Sequence, residues 1–264
     1  MSVFREDILQ DKVAFVTGGG SGICKGITRA LMAHGADAAI VGRNAERLEA
    51  AAKELSDQTG RRCLATPADV REPPAVEAAI ERTLDAYGRL DILVNGAAGN
   101  FLAPAAQLSY NAFRTVVSID TLGTWNVTRA AFDRALRDHG GQILNISATL
   151  HYTATPLQAH ASAAKAAVDA LTRSLALEWG PMGIRVNAIA PGPIDDTEGM
   201  TRLAPPEMKA KLEGAVPLRR FGRVEDIAQA AVFLCSDAAS YVHGEILVVD
   251  GGAWLPGMGV AFGG

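Results

Sequence analysis

The chain has 264 residues, of which 48% are hydrophobic and 20% charged, and its 25 Lys and Arg against 29 Asp and Glu give a net charge of −4. This composition is typical of a folded globular protein, and it argues against a disordered chain and against a nucleic-acid partner. No basic segment leads into an apolar run at the start, and no later stretch reaches about 18 apolar residues, so we expect neither secretion nor a membrane span.

The three cysteines, Cys24, Cys63 and Cys235, lie far apart and lack the short spacings of zinc ligands. An odd number of distant cysteines argues against a disulfide framework and against a metal site. A reducing compartment is therefore the simpler expectation. The last residues do not form a peroxisomal signal of the S-K-L type, so we expect a cytoplasmic protein.

Short apolar segments of strand length alternate with segments of helical period along the chain, a pattern typical of βαβ units in a parallel sheet. Strands are predicted at 12–17, 38–42, 62–66, 90–95, 142–147, 184–190 and 245–249. Helices are predicted at 23–34, 45–56, 75–86, 109–137, 157–179, 207–213 and 224–235. Five glycines fit the left-handed position after a helix, namely Gly35, Gly60, Gly88, Gly140 and Gly180. We therefore predict an α/β fold, a single doubly wound Rossmann-type domain over residues 1–264 with a seven-stranded parallel sheet and an irregular insertion at 191–223.

A glycine-rich segment, T-G-G-G-S-G-I at 17–23, lies between the first strand and the first helix. Glycines let the backbone approach a pyrophosphate, and the helix N-terminus offers free N–H groups, so the segment predicts dinucleotide binding. Arg43 follows the second strand, where NAD enzymes usually have an acidic residue, and a guanidinium there pairs with a 2′-phosphate and favours NADP(H). Asp69 ends the third strand, and its spacing suits either a hydrogen bond from adenine or the start of the next helix.

Three further motifs follow: N-G-A-A-G at 95–99, a lysine at 165 in a long helix, and P-G-P-I at 191–194. With the glycine segment they resemble the short-chain dehydrogenase/reductase family over residues 12–255. Two positions depart from the family pattern. Cys24 stands where the third glycine of T-G-x-x-x-G-x-G normally lies, and Gly96 replaces the second residue of N-N-A-G. We expect Cys24 to be a buried structural thiol.

The same resemblance shows that both catalytic hydroxyls of the common family pattern are absent. Ala161 stands where the tyrosine is expected, four residues before Lys165, and Ala148 stands where the serine is expected. Asp120 takes the place of the usual asparagine. Reduction of a ketone needs a positioned acid that an alanine cannot supply, whereas a conjugated enoyl thioester is protonated on carbon and can take the proton from water. We therefore expect Asp120 and Lys165 to be catalytic and to polarise a water.

The string A-A-G-N-F at 97–101 and the Asp/Lys pair without tyrosine narrow the resemblance to 2,4-dienoyl-CoA reductases of the peroxisomal type. This implies NADPH-dependent reduction of 2,4-dienoyl-CoA to 3-enoyl-CoA in the β-oxidation of unsaturated fatty acids, by a homotetramer. Two alternatives stay open. One is a reductase of other enoyl-CoA or conjugated carbonyl substrates, and the other is a catalytically silent NADP(H)-binding member of the family.

The resemblance also implies the binding residues. For the cofactor they are Gly18, Gly20, Ser21, Gly22, Ile23, Arg43, Asp69, Val70, Asn95, Ala97, Lys165, Pro191, Gly192 and Ile194. For the acyl-CoA substrate they are Arg71, Phe101, Ser109, Tyr110, Asn111 and Arg202, and arginines suit the phosphates of coenzyme A. His151 and Tyr152 are either loop residues or a substitute acid, and we expect His160 to be structural.

Overall fold

The computed structural model describes residues 3–195, 197 and 206–255, with 206–208 described by their backbone alone. Seven parallel strands form one sheet in the order β3-β2-β1-β4-β5-β6-β7. They are β1 (Val13–Thr17), β2 (Asp37–Gly42), β3 (Cys63–Pro67), β4 (Ile92–Asn95), β5 (Gly141–Ile146), β6 (Ile184–Pro191) and β7 (Ile246–Val249). The predicted fold class is confirmed, and every predicted strand is present.

Helices connect the strands and cover both faces of the sheet. They are α1 (Gly22–Ala33), α2 (Ala45–Thr59), α3 (Pro73–Tyr87), α4 (110–139), α5 (Ala159–Trp179), α6 (Pro206–Ala215) and α7 (Val224–Cys235). The long helix α4 is not uniform, because it contains two wider π-helical turns at Ser118–Leu122 and Phe132–Leu136. None of the described helices combines the length and the apolarity needed to cross a membrane.

Alternate residues of the buried strands face two separate hydrophobic layers. In β1, Ala14 and Val16 pack with α1, α2 and α7, whereas Phe15 packs on the other face with α3, α4 and α5. Successive side chains of a strand point to opposite faces, so a strand covered on both sides must be apolar throughout. This requirement explains why the strands were recognisable as continuous apolar runs.

One of the five glycines predicted to end a helix does not have the predicted left-handed conformation. Gly180 has φ −53° and continues α5 into a short 3₁₀ turn, Gly180–Met182, and the left-handed residue is instead Gly183, with φ 74°. The N–H of Gly183 donates to the carbonyl of Gly180, which closes this turn. The other four predicted glycines have positive φ.

The sheet reverses its strand order between β1 and β4, and ligands bind outside the carboxyl ends of the strands at such a point. The predicted insertion at 191–223 begins at the carboxyl end of β6. Its described residues contain α6 and a bridge between Ile194 and Gly222.

Candidate active site

A cavity of about 1030 Å³ lies at this reversal point, at the carboxyl ends of the strands. Most of the predicted cofactor residues line it: Gly18, Gly20, Ser21, Gly22, Ile23, Arg43, Asp69, Val70, Ala97, Lys165, Pro191, Gly192 and Ile194. Lys165 lies within α5, and the others come from five different strand-to-helix connections or the helix start that follows, so residues far apart in the sequence meet in one cavity.

Asn95 is the predicted cofactor residue that the structure does not bring to the cavity. Its side chain is buried, and its amide nitrogen donates to Thr128 and to Asn145 at 2.8 and 2.9 Å. Asn145 in turn donates to Thr172. This polar chain ties β4 and β5 to α4 and α5, so Asn95 holds the elements around the cavity together.

The glycine segment forms a close cradle. Gly18 has φ 71°, and a Cβ atom there would lie 2.9 Å from the carbonyl oxygen of Gly96. Ser21 precedes α1 but its side chain does not cap the helix. The first N–H groups of a helix have no partner within the helix, and its dipole favours an anion at that end. The cradle therefore fits a pyrophosphate group.

The two departures from the family motifs occupy one space. A Cβ atom on Gly96 would lie 2.0 Å from the Sγ atom of Cys24, far inside normal contact. Cys24 is buried, and burial raises the pKa of its thiol to about 12, so the thiol is protonated and unreactive near neutral pH. The expectation of a structural thiol is confirmed, and this thiol fills the volume that a side chain at position 96 would need.

Charged side chains line the cavity at the loops that follow β2 and β3. The Asp69 carboxylate accepts hydrogen bonds from Nε and Nη2 of Arg71, at 3.0 and 2.5 Å. These bonds are the largest cause of the lowered pKa of Asp69, with a smaller attraction from Arg43. Helix α3 is preceded by Glu72 as its N-cap residue, so Asp69 does not start that helix.

Asp120 and Lys165 meet beside the cavity, as predicted. Asp120 is buried in the first π-helical turn of α4, and π turns are frequent at functional sites. Its Oδ1 accepts from the N–H of Gly99 at 2.7 Å, and its Oδ2 lies 3.2 Å from Nζ of Lys165. Nζ also donates to the carbonyl of Ile146 at 2.9 Å. The ammonium group is thus held at the end of β5 with its charge balanced by one carboxylate.

Oδ2 of Asp120 keeps hydrogen-bonding capacity, since it accepts no hydrogen bond of normal geometry from the described residues. A buried carboxylate oxygen in this condition has an unused lone pair for a water or a ligand. The alanines at the family's hydroxyl positions are close by. Ala148 lines the cavity, and Ala161 packs in a small apolar cluster with Val116 and Ala164.

The predicted substrate residues are spread over several places. Arg71 and Asn111 line a second, smaller pocket together with Arg114. Phe101 stacks on the ring of His160, with 4.2 Å between ring centroids. Ser109 caps α4 by accepting from the N–H of Ala112, Tyr110 is 93% exposed, and Arg202 lies outside the described residues.

His160 is completely buried, and its ring nitrogens make no hydrogen bond of normal geometry with the described residues beyond a weak interaction with the backbone of Phe101. Burial lowers the pKa of this imidazole, which favours its neutral form. A neutral ring stacked on Phe101 agrees with the structural role expected from the sequence.

Asp169 is a buried residue near the site whose anchoring role was not predicted from the sequence. This buried carboxylate on α5 accepts hydrogen bonds from the hydroxyls of Ser147 and Tyr152, and it lies 2.9 Å from Nε2 of His151. Its signal in the sequence was an acidic residue four positions after Lys165, on the same helix face. His151 and Tyr152 are therefore anchored residues that hold the loop after β5 against α5.

Within the described part of the chain, no group of three or more His, Cys, Asp or Glu side chains is placed to hold a metal ion. All three cysteines are free thiols.

Comparison with known proteins adds to this geometry. The family model described as enoyl-(acyl carrier protein) reductase matches residues 18–253. A peroxisomal 2,4-dienoyl-CoA reductase of Danio rerio, described as producing (3E)-enoyl-CoA, is 54% identical over 256 residues, which cover 96% of this chain and 85% of that protein. The enzyme of the same description from Rattus norvegicus is 54% identical over 254 residues, covering 96% and 87%.

Solved structures are similar over the same extent. A short-chain dehydrogenase from Bacillus anthracis has a TM-score of 0.85 and 40% identity, and the match covers 94% of this chain and 98% of that one. The similarity therefore extends over the whole sheet and the cavity and is not limited to one motif.

Proposed function

Because the chain belongs to the short-chain dehydrogenase/reductase family, we propose that it reduces 2,4-dienoyl-CoA thioesters with NADPH and yields 3-enoyl-CoA, a reaction of the β-oxidation of unsaturated fatty acids. One observation carries the proposal: a buried Asp120–Lys165 pair adjoins the cavity, while Ala148 and Ala161 stand where the hydroxyls of alcohol-forming relatives are expected. The site keeps a charged pair and lacks an acid suited to an alkoxide.

The residues around the cavity fit NADP(H). The glycine cradle suits the pyrophosphate, and Arg43 lines the cavity where the 2′-phosphate of the adenine ribose is expected. In this proposal Lys165 binds the nicotinamide ribose with the N–H that does not point to Ile146 or Asp120. When bound, the cofactor supplies the hydride for the reduction.

The chain's own part in the reaction is to stabilise charge and to deliver a proton. Hydride addition to the far end of the diene moves negative charge to the thioester oxygen, and the carbon next to the thioester then takes a proton. A water that donates one proton to Oδ2 of Asp120 is oriented by this carboxylate, and the positive charge of the nearby Lys165 favours the release of the water's other proton to the carbon. Gly99 holds the carboxylate in place through Oδ1.

The second pocket suits the coenzyme A end of the substrate. Arg71 and Arg114 line it with Asn111, and guanidinium groups bind phosphates through paired hydrogen bonds. Arg71 already holds Asp69 in an ion pair, so it links the adenine end of the cofactor site to this pocket. Phe101, Ser109, Tyr110 and Arg202 belong to the same proposed substrate surface.

We further propose that the chain is a single NADP(H)-binding domain that assembles into a homotetramer and works in the cytoplasm. Exposed apolar side chains on α4 and α5, namely Leu122, Trp125 and Leu177, support burial between subunits. Free cysteines support a reducing compartment. Light scattering after size-exclusion chromatography tests the assembly, since a monomer at micromolar concentration would contradict it.

The test of the activity is the loss of NADPH absorbance with 2,4-hexadienoyl-CoA, with crotonyl-CoA and acetoacetyl-CoA measured in parallel. We expect turnover of the dienoyl thioester and little of the other two. Reduction of crotonyl-CoA at an equal rate would move the assignment to a general enoyl-CoA reductase. Bound NADPH with no turnover of any substrate would favour a catalytically silent protein.

A further inference from the structure

Gln158 is a wall residue of the cavity with an unused hydrogen-bond donor. Its side chain is 6% exposed and lines the cavity, and its amide nitrogen Nε2 is buried without a hydrogen-bond partner. Among the described residues that line this cavity, no other has a buried side-chain nitrogen or oxygen in that condition. Buried polar groups are almost always paired, so an unpaired donor on a residue that lines a cavity points to a ligand acceptor.

The local structure does not use this side chain. Gln158 precedes α5 as its N-cap residue, its backbone carbonyl accepts from the N–H of Ser162, and its side chain makes no capping bond. Leu157 before it has φ 65°, a left-handed conformation that is strained for a residue with a Cβ atom. The carbonyl of Leu157 accepts from the N–H of Ala103, which holds the strained residue in place. The tertiary structure thus imposes the position of Gln158.

Gln158 and Lys165 occupy the same side of α5. Seven residues make about two helical turns, so the amide lies roughly 10 Å along the helix axis from the lysine position. Both residues line the cavity, and so does Ala148. In a conjugated dienoyl thioester the oxygen that gains charge is remote from the carbon that accepts the hydride. Lys165 already contacts Ile146 and Asp120 and is proposed to bind the cofactor, so this oxygen needs a donor from another residue.

We propose that Nε2 of Gln158 donates a hydrogen bond to the thioester carbonyl oxygen of the bound acyl-CoA and stabilises the negative charge that develops there. This role rests on the proposed function and supplies the electrostatic support that the absent hydroxyls do not give. A C–H bond forms at the far end of the diene, the π electrons shift to the thioester oxygen, and the carbon next to the thioester later takes a proton from water. Gln158 keeps both of its protons throughout.

The first test uses Gln158→Met, which keeps the side-chain length and removes the N–H group. We expect kcat for the dienoyl thioester to fall about 10²- to 10³-fold, with the Kd for NADPH unchanged. Gln142→Met is the matched control, because Gln142 also has a buried unpaired side-chain atom but lies at the opposite end of β5, away from the cavity. Its kcat should equal that of the wild type.

Separate measurement of kcat and KM for Gln158→Met distinguishes the possible roles of Gln158. A rise in KM with unchanged kcat would show that Gln158 binds substrate and transition state equally, and it would overturn the proposed role. Unchanged values of both would overturn it as well. If Gln158→Met fails to fold, the isosteric Gln158→Glu replaces it, and a carboxylate facing the developing charge should lower kcat at least as much.

A second measurement does not depend on turnover. Hexanoyl-CoA labelled with ¹³C at the thioester carbonyl is bound to the protein with NADP⁺, and its carbonyl resonance is compared between wild type and Gln158→Met. A hydrogen bond to the oxygen moves this resonance downfield in the wild type alone, and equal resonances would refute the contact. If the wild type reduces no dienoyl thioester, the proposed function fails, and this comparison still decides the contact.

Discussion

Replacement of Gly96 by alanine tests whether Cys24 and Gly96 share one space. The new methyl group would lie 2.0 Å from Sγ of Cys24, whereas nonbonded atoms normally pack at about 3.5–4 Å. The two groups must therefore move apart by roughly 1.5–2 Å. Movement in other directions is limited, because the same methyl group would be 3.2 Å from the carbonyl of Thr17 and 3.4 Å from Cγ1 of Ile146. Overpacking of a core costs about 1–3 kcal/mol, and this contact lies at the upper end.

The decisive experiment is a double-mutant cycle. Cys24→Gly alone should destabilise the protein by about 1–2 kcal/mol, because it removes a buried side chain and puts glycine inside α1. The double variant places the new methyl group in the space that the thiol leaves. Its loss of stability should therefore be smaller than the sum of the two single losses by about 1–3 kcal/mol.

Thermal unfolding without cofactor, at one protein concentration, measures these differences. For a domain of this size 1 kcal/mol corresponds to about 2–4 °C, so a loss of about 3 kcal/mol in Gly96→Ala should lower the Tm by about 6–12 °C. Gly214→Ala is the matched control, since no atom lies within 4 Å of its added Cβ, and it should leave the Tm equal or slightly raised. Additive losses in the cycle would refute the shared space.

The remaining predictions concern charge and cofactor. Asp120→Ala should lower turnover about 10²-fold or more while NADPH binding persists, because it removes the acceptor beside Lys165, and steady-state kinetics with unchanged kcat would exclude Asp120 from the proton route. Arg43→Ala should raise the KM for NADPH far more than that for NADH, and equal changes would contradict the 2′-phosphate contact. The native thiols of Cys24 and Cys235, with pKa raised by burial to about 12, should resist iodoacetamide near pH 8 and react only on unfolding. These folded-state pKa values exceed the unfolded value of 9.0, so the folded protein holds the thiol protons more tightly than the unfolded chain. The resulting contribution to the free energy of unfolding is complete below about pH 9 and is lost as the pH rises toward 12. Unfolding midpoints across this pH range measure the loss.

The local features of this protein were readable from its sequence. Buried parallel strands need continuous apolar runs, and the glycine segment needs its place between β1 and α1, so both carry their signal in neighbouring residues. The spacing within α5 was enough to find alanine where the family's tyrosine is expected, whereas the pairing of Lys165 with Asp120 on α4 was predicted from the family resemblance. Helix ends were less certain: Gly180 was assigned the left-handed conformation that Gly183 adopts.

The tertiary structure alone decided which distant residues complement each other. The fit between Cys24 and Gly96, the three partners of Asp169 and the unpaired amide of Gln158 all depend on contacts between elements. It also removed Asn95 from the cavity, because its amide is used to bind Thr128 and Asn145. Periodicity reports which face of an element is buried, whereas a hydrogen bond or a steric fit depends on which atoms meet there, and only the packed fold determines that.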